Sequence, residues 1–389
     1  MRLGICGPIE IEPFRSWLKD APENLPRGLG GTPVVDLARA ALREGWEVVL
    51  FSLDPAVRHE MILKGPQLKI CLGPFRPRHR ARDLFRSERA YISDAVRKER
   101  PDIVHAHWTY EFALGAIDSG VPAVVTAHDA PLSILRLNPT PYRLLRTLMA
   151  WQVARRAPRL TAVSTFVAEH FHRYFGYRSA IPVIPNGLPN EWFRDEPGTA
   201  NRAPHTVFAS VLNGWGVLKN TKTLLRAFQL VRDSSPRSRL LLYGHGHGPG
   251  EDAEIWAQKR ALCGNVRFCG AVDRAVLAEG LQSEAQVLVH PALEESFGMT
   301  IAEAMALGIP VIAGKDSGAV STTLDGGQSG VLTDVRSPAI LAAEMLRVGR
   351  SPELRAELAR KGSASARGRF HMDKVLNAYA AVYREALEA

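Results

Sequence analysis

Short apolar runs alternate with stretches of helical periodicity along nearly all of the 389 residues. Runs such as RLGICG, EVVLFSL, PVIP and PVIAG are predicted as strands, and the segments between such runs have the length and periodicity of helices. A helix between two strands returns the chain to the end of the sheet at which the first strand began, so that successive strands pair in parallel. The alternation therefore predicts an α/β fold built on parallel sheets.

The alternation is interrupted at one place, the segment EWFRDEPGTANRAPH at 191–205. This segment is rich in turn residues and poor in apolar ones, which is typical of a linker. A chain of this length can bury two hydrophobic cores. We therefore predict two α/β domains of similar size, 1–188 and 189–370, followed by a final amphipathic helix over 371–389.

The net charge of +9 is concentrated in the first half of the chain. Residues 1–189 contain 26 Lys and Arg against 18 Asp and Glu, a net charge of +8, whereas residues 190–389 contain 23 against 22. No nucleic-acid-binding motif accompanies this charge, and we expect no nucleic acid partner. An anionic membrane surface or an anionic acceptor is one interpretation of the charge, and a solvated basic face is the other.

Targeting features indicate the cytoplasm. The N-terminal sequence MRLGICGPIEIEPF lacks the apolar core of a signal peptide, and no run of about eighteen apolar residues could span a membrane. The four cysteines fit neither a disulfide framework nor a zinc spacing. We expect a cytoplasmic protein, with peripheral attachment to the inner face of the membrane as an open alternative.

The segment ALEESFGMTIAEAMALGIPVIAG at 292–314 places two carboxylates, Glu295 and Glu303, eight residues apart across a loop-to-helix junction. The helix has hardly any polar residue besides Glu303, and a carboxylate in apolar surroundings needs a partner. Two carboxylates at this spacing can accept hydrogen bonds from hydroxyl groups at two ends of one elongated ligand. The alternative interpretation is a solvated glutamate on an amphipathic helix.

The junction itself provides a second kind of binding group. The residues before Met299 form a turn that includes Phe297 and Gly298, and the helix MTIAEAMAL follows. The N-terminus of such a helix offers unpaired backbone N–H groups and the positive end of the helix dipole to a polar or anionic ligand.

The string EESFGMTIAEAMALGIPVIA closely resembles the E-x7-E signature of retaining glycosyltransferases of family four, which have the GT-B fold and include many enzymes of bacterial cell-envelope and exopolysaccharide synthesis. The resemblance implies two Rossmann-like parallel α/β domains facing a central cleft. It also implies that the first domain binds the acceptor, that the second binds the nucleotide sugar, and that the C-terminal helix packs back on the first domain.

The resemblance assigns roles to the residues of this segment. It implies that Glu295 binds hydroxyl groups of the donor sugar at the catalytic centre and that Glu303 binds the ribose of the sugar nucleotide. It places Phe297, Gly298 and Met299 in the donor-binding site as well.

A glycine-rich turn precedes a predicted helix in RGLGGTPVVDLARAALREG at 27–45. Thr32 is the predicted N-cap and Pro33 the predicted first helical residue. Gly30 and Gly31 allow a ligand to approach the backbone closely at this helix start. The turn resembles the GG loop of the family, which lies over the donor phosphate and the acceptor site; the alternative is a turn without a ligand.

Histidines end two predicted strands of the first domain. His128 ends the strand of VVTAHDA, and the resemblance implies that it contacts the donor sugar as a catalytic residue. His105 and His107 in VHAHW resemble another strand end that lines the same cleft. A structural role is the alternative for each of these residues.

Lys219 stands at the start of a predicted helix in VLNGWGVLKNTKTLLRAF. Its charge, its reach and the helix dipole all favour a phosphate at this position. The family usually has an arginine close to this lysine, but residues 213–218 contain no cation. The sequence therefore predicts donor phosphate binding by Lys219 and leaves open which other cation takes part.

We expect neither a metal nor another cofactor. The chain has no D-x-D triplet, the pair of carboxylates with which glycosyltransferases of the other major fold hold Mn²⁺ or Mg²⁺. The histidines of GHGHG at 244–248 have no carboxylate or cysteine partner in the sequence nearby. Helix dipoles and Lys219 would then stabilise the leaving group in place of a metal ion.

The resemblance implies transfer of a hexose from a nucleoside-diphosphate sugar to a hydroxyl of a glycan or a lipid-linked acceptor, with retention of configuration and without a metal. Two alternatives stay open at this stage. One is a non-catalytic GT-B protein that binds a sugar nucleotide or a glycan, which the absent arginine would explain. The other is a GT-B sugar-nucleotide epimerase; a glycoside phosphorylase would need a cofactor lysine motif that the sequence lacks.

Overall fold

The computed structural model describes residues 1–193 and 205–388, which form two compact units. Unit 1 comprises Met1–Pro189 and Met372–Ala389, and unit 2 comprises Asn190–His371. These bounds differ by one residue from those expected from the sequence. Most of the predicted linker, residues 194–204, lies outside the described part of the chain.

Unit 1 contains a seven-stranded sheet in the order β3-β4-β2-β1-β5-β6-β7. All neighbouring strands are parallel except β3, which pairs antiparallel with β4 at one edge. The strands are β1 (Arg2–Cys6), β2 (Glu47–Asp54), β3 (Met61–Lys64), β4 (Leu68–Pro74), β5 (Ile103–His107), β6 (Ala123–Ala127) and β7 (Leu160–Ala162). The helices are α1 (Thr32–Arg43), α2 (Arg86–Glu99), α3 (Glu111–Asp118), α4 (Pro131–Leu137), α5 (Pro141–Arg156) and α6 (Thr165–Phe175).

Unit 2 contains, in its described part, a parallel six-stranded sheet in the order β10-β9-β8-β11-β12-β13. The strands are β8 (Val207–Val211), β9 (Arg239–Tyr243), β10 (Val266–Gly270), β11 (Val287–His290), β12 (Val311–Gly314) and β13 (Val331–Thr333). The helices are α7 (Thr221–Ser234), α8 (Asp252–Gln258), α9 (Arg274–Glu284), α10 (Met299–Ala306), α11 (Val320–Thr323), α12 (Pro338–Arg350) and α13 (Pro352–Phe370). The predicted α/β fold with parallel sheets is confirmed.

The last helix, α14 (Met372–Glu388), belongs to the core of unit 1. Val375, Tyr379 and Tyr383 are buried against residues of β1, α1 and β2, and Tyr383 is fully inaccessible to solvent. The three residues recur at helical spacing, which places them on one face of the helix. Burial of two aromatic rings fixes α14 to unit 1 because each ring removes a large apolar area from water.

Two sequence-based expectations were wrong in detail. PVIP at 182–185 was expected as a strand, but it forms only one bridge, between Val183 and Ala162. Thr32 was expected to cap α1, but Gly31 is the N-cap and Thr32 the first helical residue. A left-handed glycine can end the preceding loop at this position without the strain that a threonine would have there.

Each sheet has a point at which the strand order reverses. In unit 1, strands β2, β4 and β3 lie on one side of β1, and strands β5 to β7 lie on the other side. In unit 2, strands β9 and β10 lie on one side of β8, and strands β11 to β13 lie on the other side. The loops at the carboxyl ends of such strands diverge and leave a crevice, where open α/β sheets bind their ligands. The functional residues are therefore expected in the loops after β1, β5, β8 and β11.

Candidate active site

The loops after β8 and β11 bring together Lys219 and Glu295. Lys219 ends a 3₁₀ turn before α7, and its Nζ donates a hydrogen bond to Oε1 of Glu295 at 2.8 Å. His290, the last residue of β11, lies with Nε2 3.1 Å from the same oxygen. A backbone bond from the N–H of Leu293 to the carbonyl of Leu218, 2.8 Å long, ties the two loops to each other. Residues 76 positions apart in the chain thus form one polar cluster.

Glu295 is ionised in this cluster. Burial favours the protonated carboxyl, but the positive charge of Lys219 and the hydrogen bond with His290 outweigh it and lower the pKa of Glu295 to about 2. Its backbone is fixed as well, because the N–H of Ala319 donates to the carbonyl of Glu295 at 2.8 Å. Glu295 therefore acts as a positioned hydrogen-bond acceptor at neutral pH.

The turn between the two glutamates is held by packing on both sides. Phe297 is buried, and its ring meets that of Phe370 edge to face at a centroid distance of 5.2 Å. Its carbonyl accepts a 2.6 Å hydrogen bond from the hydroxyl of Thr323. Gly298 is the N-cap of α10 with φ of 87°, a left-handed conformation that glycine adopts without strain. The first backbone N–H groups of α10, beginning at Met299, follow directly from this turn.

Glu303 lies within α10 and pairs with a cation that the sequence analysis missed. The guanidinium of Arg274 donates to Oε1 of Glu303 from Nη2 at 3.0 Å and from Nε at 3.3 Å. The same guanidinium stacks over the ring of Trp192, 4.9 Å from the centroid. Arg274 is the first residue of α9 and follows β10 by four positions. The sequence signal that could have identified Arg274 is a cation shortly after a predicted strand.

The arginine that is usual near Lys219 has no counterpart at 213–218, and Val217 projects into solvent with 68% of its surface exposed. Lys222, one turn further on in α7, lies over the ring of Trp215 at 5.4 Å. Asn220 stabilises the start of α7 by donating from Nδ2 to the carbonyls of Pro291 and Val335 at 3.0 and 2.7 Å. The start of α7 is thus joined to the loop after β11.

The two histidines of GHGHG have separate environments. His247 is fully buried, and this burial lowers the pKa of its imidazole. Its Nε2 lies 2.9 Å from the hydroxyl of Thr221. His245 is exposed. Within residues 1–193 and 205–388, no group of three or more His, Cys, Asp and Glu side chains is arranged to hold a metal ion.

In unit 1 the glycine-rich turn lies against the loop that follows β1. A Cβ on Gly31, whose φ is 83°, would lie 1.9 Å from the carbonyl oxygen of Pro8, so that only glycine fits there. Gly30 has φ of 80° but an exposed position with no atom within 4 Å of a Cβ. Close packing against Pro8 therefore requires glycine at position 31 even if no ligand binds there. At position 30, only the left-handed backbone conformation favours glycine.

His128 belongs to a cluster of three buried histidines. Its Nε2 lies 2.8 Å from Nδ1 of His107, and its ring stacks on that of Trp108 at a centroid distance of 4.3 Å. The ring of His105 lies 4.0 Å from that of His107 and bonds the hydroxyl of Tyr383 at 2.6 Å. Burial lowers the pKa of His105 and of His128 to about 3. His128 is therefore a neutral imidazole at physiological pH.

The predicted site residues divide between the two units. Lys219 and Glu295 are in contact, Glu303 pairs with Arg274 on the same unit, and the turn through Phe297, Gly298 and Met299 links the two carboxylates. Gly30, Gly31 and His128 belong to unit 1. Gly31 lies against Pro8. Gly7, next to Pro8 in the chain, lies close to His107, since a Cβ added to Gly7 would be 3.3 Å from Cβ of His107. His290 and Arg274 are polar partners that sequence reasoning did not identify.

Comparison with known protein families matches both halves of the chain. The family described as Glycosyltransferase Family 4 matches residues 30–192. The family described as Glycosyl transferases group 1 matches residues 194–364. The two matches meet at 192–194, a few residues after the division between unit 1 and unit 2 at Pro189 and Asn190.

Curated relatives extend over most of the chain. D-inositol 3-phosphate glycosyltransferase of Thermobispora bispora is 30% identical over 389 residues and covers 91% of this chain and 89% of its own length. The enzyme of the same name from Saccharomonospora viridis is 31% identical, with 82% and 79% covered.

Solved structures support the fold. Sucrose-phosphate synthase of Thermosynechococcus elongatus aligns over 99% of this chain and 98% of its own with a TM-score of 0.79 at 20% identity. Anabaena HepE in complex with UDP-glucose aligns over 99% and 100% with a TM-score of 0.71 at 17% identity. The fold match, the paired family matches and the relatives agree: the chain belongs to glycosyltransferase family 4 and is a glycosyltransferase with the GT-B fold.

Proposed function

We propose that the enzyme transfers a hexose from a nucleoside-diphosphate sugar to a hydroxyl of a glycan or lipid-linked acceptor, with retention of configuration and without a metal ion. The observation that supports this most is the contact between Lys219 and Glu295, which places a cation for phosphate and a carboxylate for sugar hydroxyls side by side. HepE, a neighbour in fold, is known in complexes with UDP and with UDP-glucose, which supports the class of donor.

Lys219 can serve the leaving group without releasing Glu295. An ammonium has three N–H donors, and one of them is used by Oε1 of Glu295. The others remain available for oxygens of a diphosphate. The N–H groups at the starts of α7 and α10 add the positive ends of two helices near this lysine.

Glu303 and Arg274 form the second part of the donor site in this proposal. The carboxylate of Glu303 accepts from the ribose hydroxyls, while Arg274 positions that carboxylate through the 3.0 Å hydrogen bond from its Nη2. The turn through Gly298 sets the spacing between the ribose ligand Glu303 and the sugar ligand Glu295.

Catalysis then rests on positioning and on stabilisation of the departing diphosphate. Glu295 is held in an ion pair with a lowered pKa, which suits a hydroxyl ligand better than a covalent nucleophile. The acceptor hydroxyl attacks the anomeric carbon on the face from which the diphosphate departs, and a leaving phosphate oxygen takes its proton. Neutral His128 donates or accepts one hydrogen bond to the donor sugar.

The experiment is a donor screen that measures nucleoside diphosphate release with and without an acceptor extract. We expect slow release from one nucleoside-diphosphate hexose alone and faster release with the extract. NMR of the product should show an axial glycosidic bond from an α-linked donor. An inverted product would overturn retention, and no release or binding with any nucleoside-diphosphate sugar would overturn the donor assignment.

An exposed face of α5 supports a membrane-associated acceptor. Leu144, Leu148 and Trp151 recur at helical spacing and are 51%, 52% and 44% exposed. Arg155 continues the same row and lies over the Trp151 ring at 4.8 Å. Exposed apolar residues with a tryptophan and neighbouring arginines fit the interface of an anionic bilayer. No helix in the described part of the chain is long and apolar enough to cross a membrane.

We therefore propose that α5 docks the enzyme on anionic lipid, each nearby arginine contributing about 1 kcal/mol. In flotation assays the enzyme should rise with vesicles containing phosphatidylglycerol and remain below with neutral phosphatidylcholine. Leu148→Ser and Trp151→Ser should weaken flotation, whereas Ile340→Ser, a 48% exposed residue of unit 2, should not. Equal recovery with both lipids, or no recovery with either, would contradict docking on anionic lipid and would indicate that this face of α5 is merely solvated. Dimerisation lost in Leu148→Ser would identify a second copy as the occupant.

A further inference from the structure

Unit 1 contains a cavity of about 260 Å³ at the carboxyl end of β6. Its walls include the rings of Tyr110 and Tyr142, the carboxyl of Asp129 and the guanidinium groups of Arg143 and Arg146. We propose that this cavity binds one uncharged sugar ring of the acceptor. The proposal rests on the proposed function, since it assigns the acceptor side of the same reaction to unit 1.

Asp129 provides an unfilled hydrogen-bonding position. Its Oδ2 accepts from the hydroxyl of Tyr110 at 2.7 Å, but its buried Oδ1 has no hydrogen-bond partner among the described residues. An unpaired buried acceptor is unfavourable, so a hydroxyl that donates to it on binding relieves this cost. Sugar hydroxyls are the donors that fit a carboxylate oxygen.

The charges around the cavity are balanced. Arg146 pairs with Glu111 at 2.6 Å and lies over the Tyr110 ring at 3.4 Å, so its charge is already compensated. Burial raises the pKa of Asp129, and the hydrogen bond from Tyr110 and the charges of Arg146 and Arg143 oppose this rise. Two carboxylates thus oppose two guanidinium groups. A phosphate would add negative charge beside Asp129 and Glu111, which disfavours a phosphorylated ring.

The remaining features fit the size and the faces of one ring. The volume lies slightly below the usual range of roughly 300–1,000 Å³ for ligand pockets, which leaves room for one sugar rather than for a chain. Tyr142 is 42% exposed and presents its ring to a C–H face of the ligand. Arg143 can donate to the ring or hydroxyl oxygens.

The position of the cavity connects it with the reaction. Asp129 follows directly after His128, the candidate catalytic residue at the end of β6. A sugar bound to Asp129 would therefore lie next to the histidine that we assign to the transferred hexose. Tyr142 and Arg143 also lie near the start of α5, whose exposed row is the proposed lipid-docking surface. The cavity is thus placed to receive a sugar attached to a lipid.

The test is direct binding to the whole enzyme, measured by saturation-transfer NMR. The probes are the methyl α-glycosides of glucose, mannose and galactose, each with its 6-phosphate. We expect at least one uncharged glycoside to bind at millimolar concentration, and its 6-phosphate at least about fivefold more weakly. Stronger or equal binding of the phosphates, or no binding of any glycoside, would overturn the proposal.

Matched variants assign the binding to the cavity. Asp129→Asn and Tyr142→Ala should each weaken glycoside binding about fivefold or more, whereas Tyr174→Ala, a 38% exposed tyrosine outside the cavity, should leave it unchanged. Tyr142→Ala alters an exposed residue and keeps the test valid if Asp129→Asn lowers stability. Unchanged binding in Tyr142→Ala would overturn the site.

Two further measurements separate this inference from the proposed function. Glu111→Gln releases the charge of Arg146 and should raise binding of the 6-phosphate relative to the uncharged ring; a fixed ratio would contradict the charge argument. Nucleoside diphosphate binding and donor hydrolysis should stay near wild-type in Tyr142→Ala. If glycoside binding fails while donor hydrolysis persists, the cavity assignment alone is wrong. If donor binding is absent in the wild-type enzyme, the proposed function is wrong.

Discussion

The Nζ of Lys219 lies 2.8 Å from Oε1 of Glu295, and Nε2 of His290 lies 3.1 Å from the same oxygen. One carboxylate oxygen therefore joins the loop after β8 to the loop after β11. In the proposed reaction these groups hold the diphosphate and the sugar on either side of the bond that breaks. A substitution of one of them changes the electrostatic environment of the other.

Lys219→Ala should be close to inactive and should bind the nucleoside diphosphate at least about tenfold more weakly. The substitution removes the cation nearest to the leaving group, and a charge-assisted hydrogen bond contributes about 1.5–3 kcal/mol. Titration calorimetry gives the Kd and steady-state kinetics the rate. Lys222→Ala, in the first turn of α7, is the control and should behave as the wild type. A Lys219→Ala enzyme with most of its activity would show that another cation binds the phosphate.

Val217→Arg should maintain or improve donor affinity. Val217 is 68% exposed at the first position of the 3₁₀ turn that ends at Lys219, so an arginine can be accommodated without loss of packing. A guanidinium there could form a bidentate contact with the phosphate that Lys219 contacts. The measurement is the Kd of the nucleoside diphosphate. Weaker binding in a folded Val217→Arg enzyme would place the diphosphate away from this turn.

Glu295→Ala should reduce kcat more than it weakens donor binding, because this carboxylate orients the sugar at the reacting carbon. Its pKa of about 2 also has a consequence for the rate. The group is ionised throughout the range from pH 5 to pH 9, so its titration should contribute no limb to the pH profile of kcat. We would measure kcat and donor Kd of the variant beside the wild-type profile. Wild-type kinetics in Glu295→Ala would contradict the site.

Glu303→Ala should raise the donor Kd or KM about tenfold or more, equivalent to roughly 1.5–3 kcal/mol for a charged hydrogen bond. The effect should depend on the ribose. The wild type should prefer a nucleoside diphosphate over its 2′,3′-dideoxy analogue, and Glu303→Ala should largely lose this preference. If the preference persists, the ribose is bound elsewhere. Arg274→Leu should show a smaller loss, since Arg274 acts through the carboxylate that it holds.

The parts of the site that lie close together in sequence could be predicted from it. The turn at Gly298 and the start of α10 at Met299 follow from local rules, since a left-handed glycine and helical periodicity act within a few residues. The roles expected for the two carboxylates came instead from the family resemblance. The parallel sheets followed from the alternation of strands and helices in the same way. Local preferences therefore predict the fold class and the loop-to-helix junction before α10.

The partners of the site residues could not be predicted, because they depend on which strands are neighbours. Arg274 reaches Glu303 from 29 positions away, and Lys219 reaches Glu295 from 76. Position 31 requires glycine because the carbonyl oxygen of Pro8, at the beginning of the loop after β1, leaves no room for a Cβ. The antiparallel edge strand β3 and its partner β4 have no separate signal in the alternation, and they too required the structure.

Activity should survive treatment with EDTA. In the proposed mechanism, Lys219 and the helix starts stabilise the diphosphate, so no divalent ion is required for the leaving group. The assay is nucleoside diphosphate release in excess chelator, compared with the same reaction in Mg²⁺ or Mn²⁺. Complete loss in EDTA that Mn²⁺ restores would contradict the metal-free mechanism.

Acid should destabilise unit 1 through its buried histidines. Burial lowers the pKa of His105 and His128 from 6.5 to about 3, so between these pH values the unfolded chain binds protons that the folded chain does not. The free energy of unfolding should therefore be undiminished above pH 6.5 and fall by about 1.4 kcal/mol per pH unit for each such histidine as the pH drops toward 3. Urea titrations between pH 7 and pH 4 measure this slope. His105→Gln retains polar atoms for Tyr383 and Thr126 and should reduce the slope by about one histidine's share, whereas His59→Gln, at an exposed position, should not. The same slope in the wild type and His105→Gln would show that His105 is protonated in the folded enzyme.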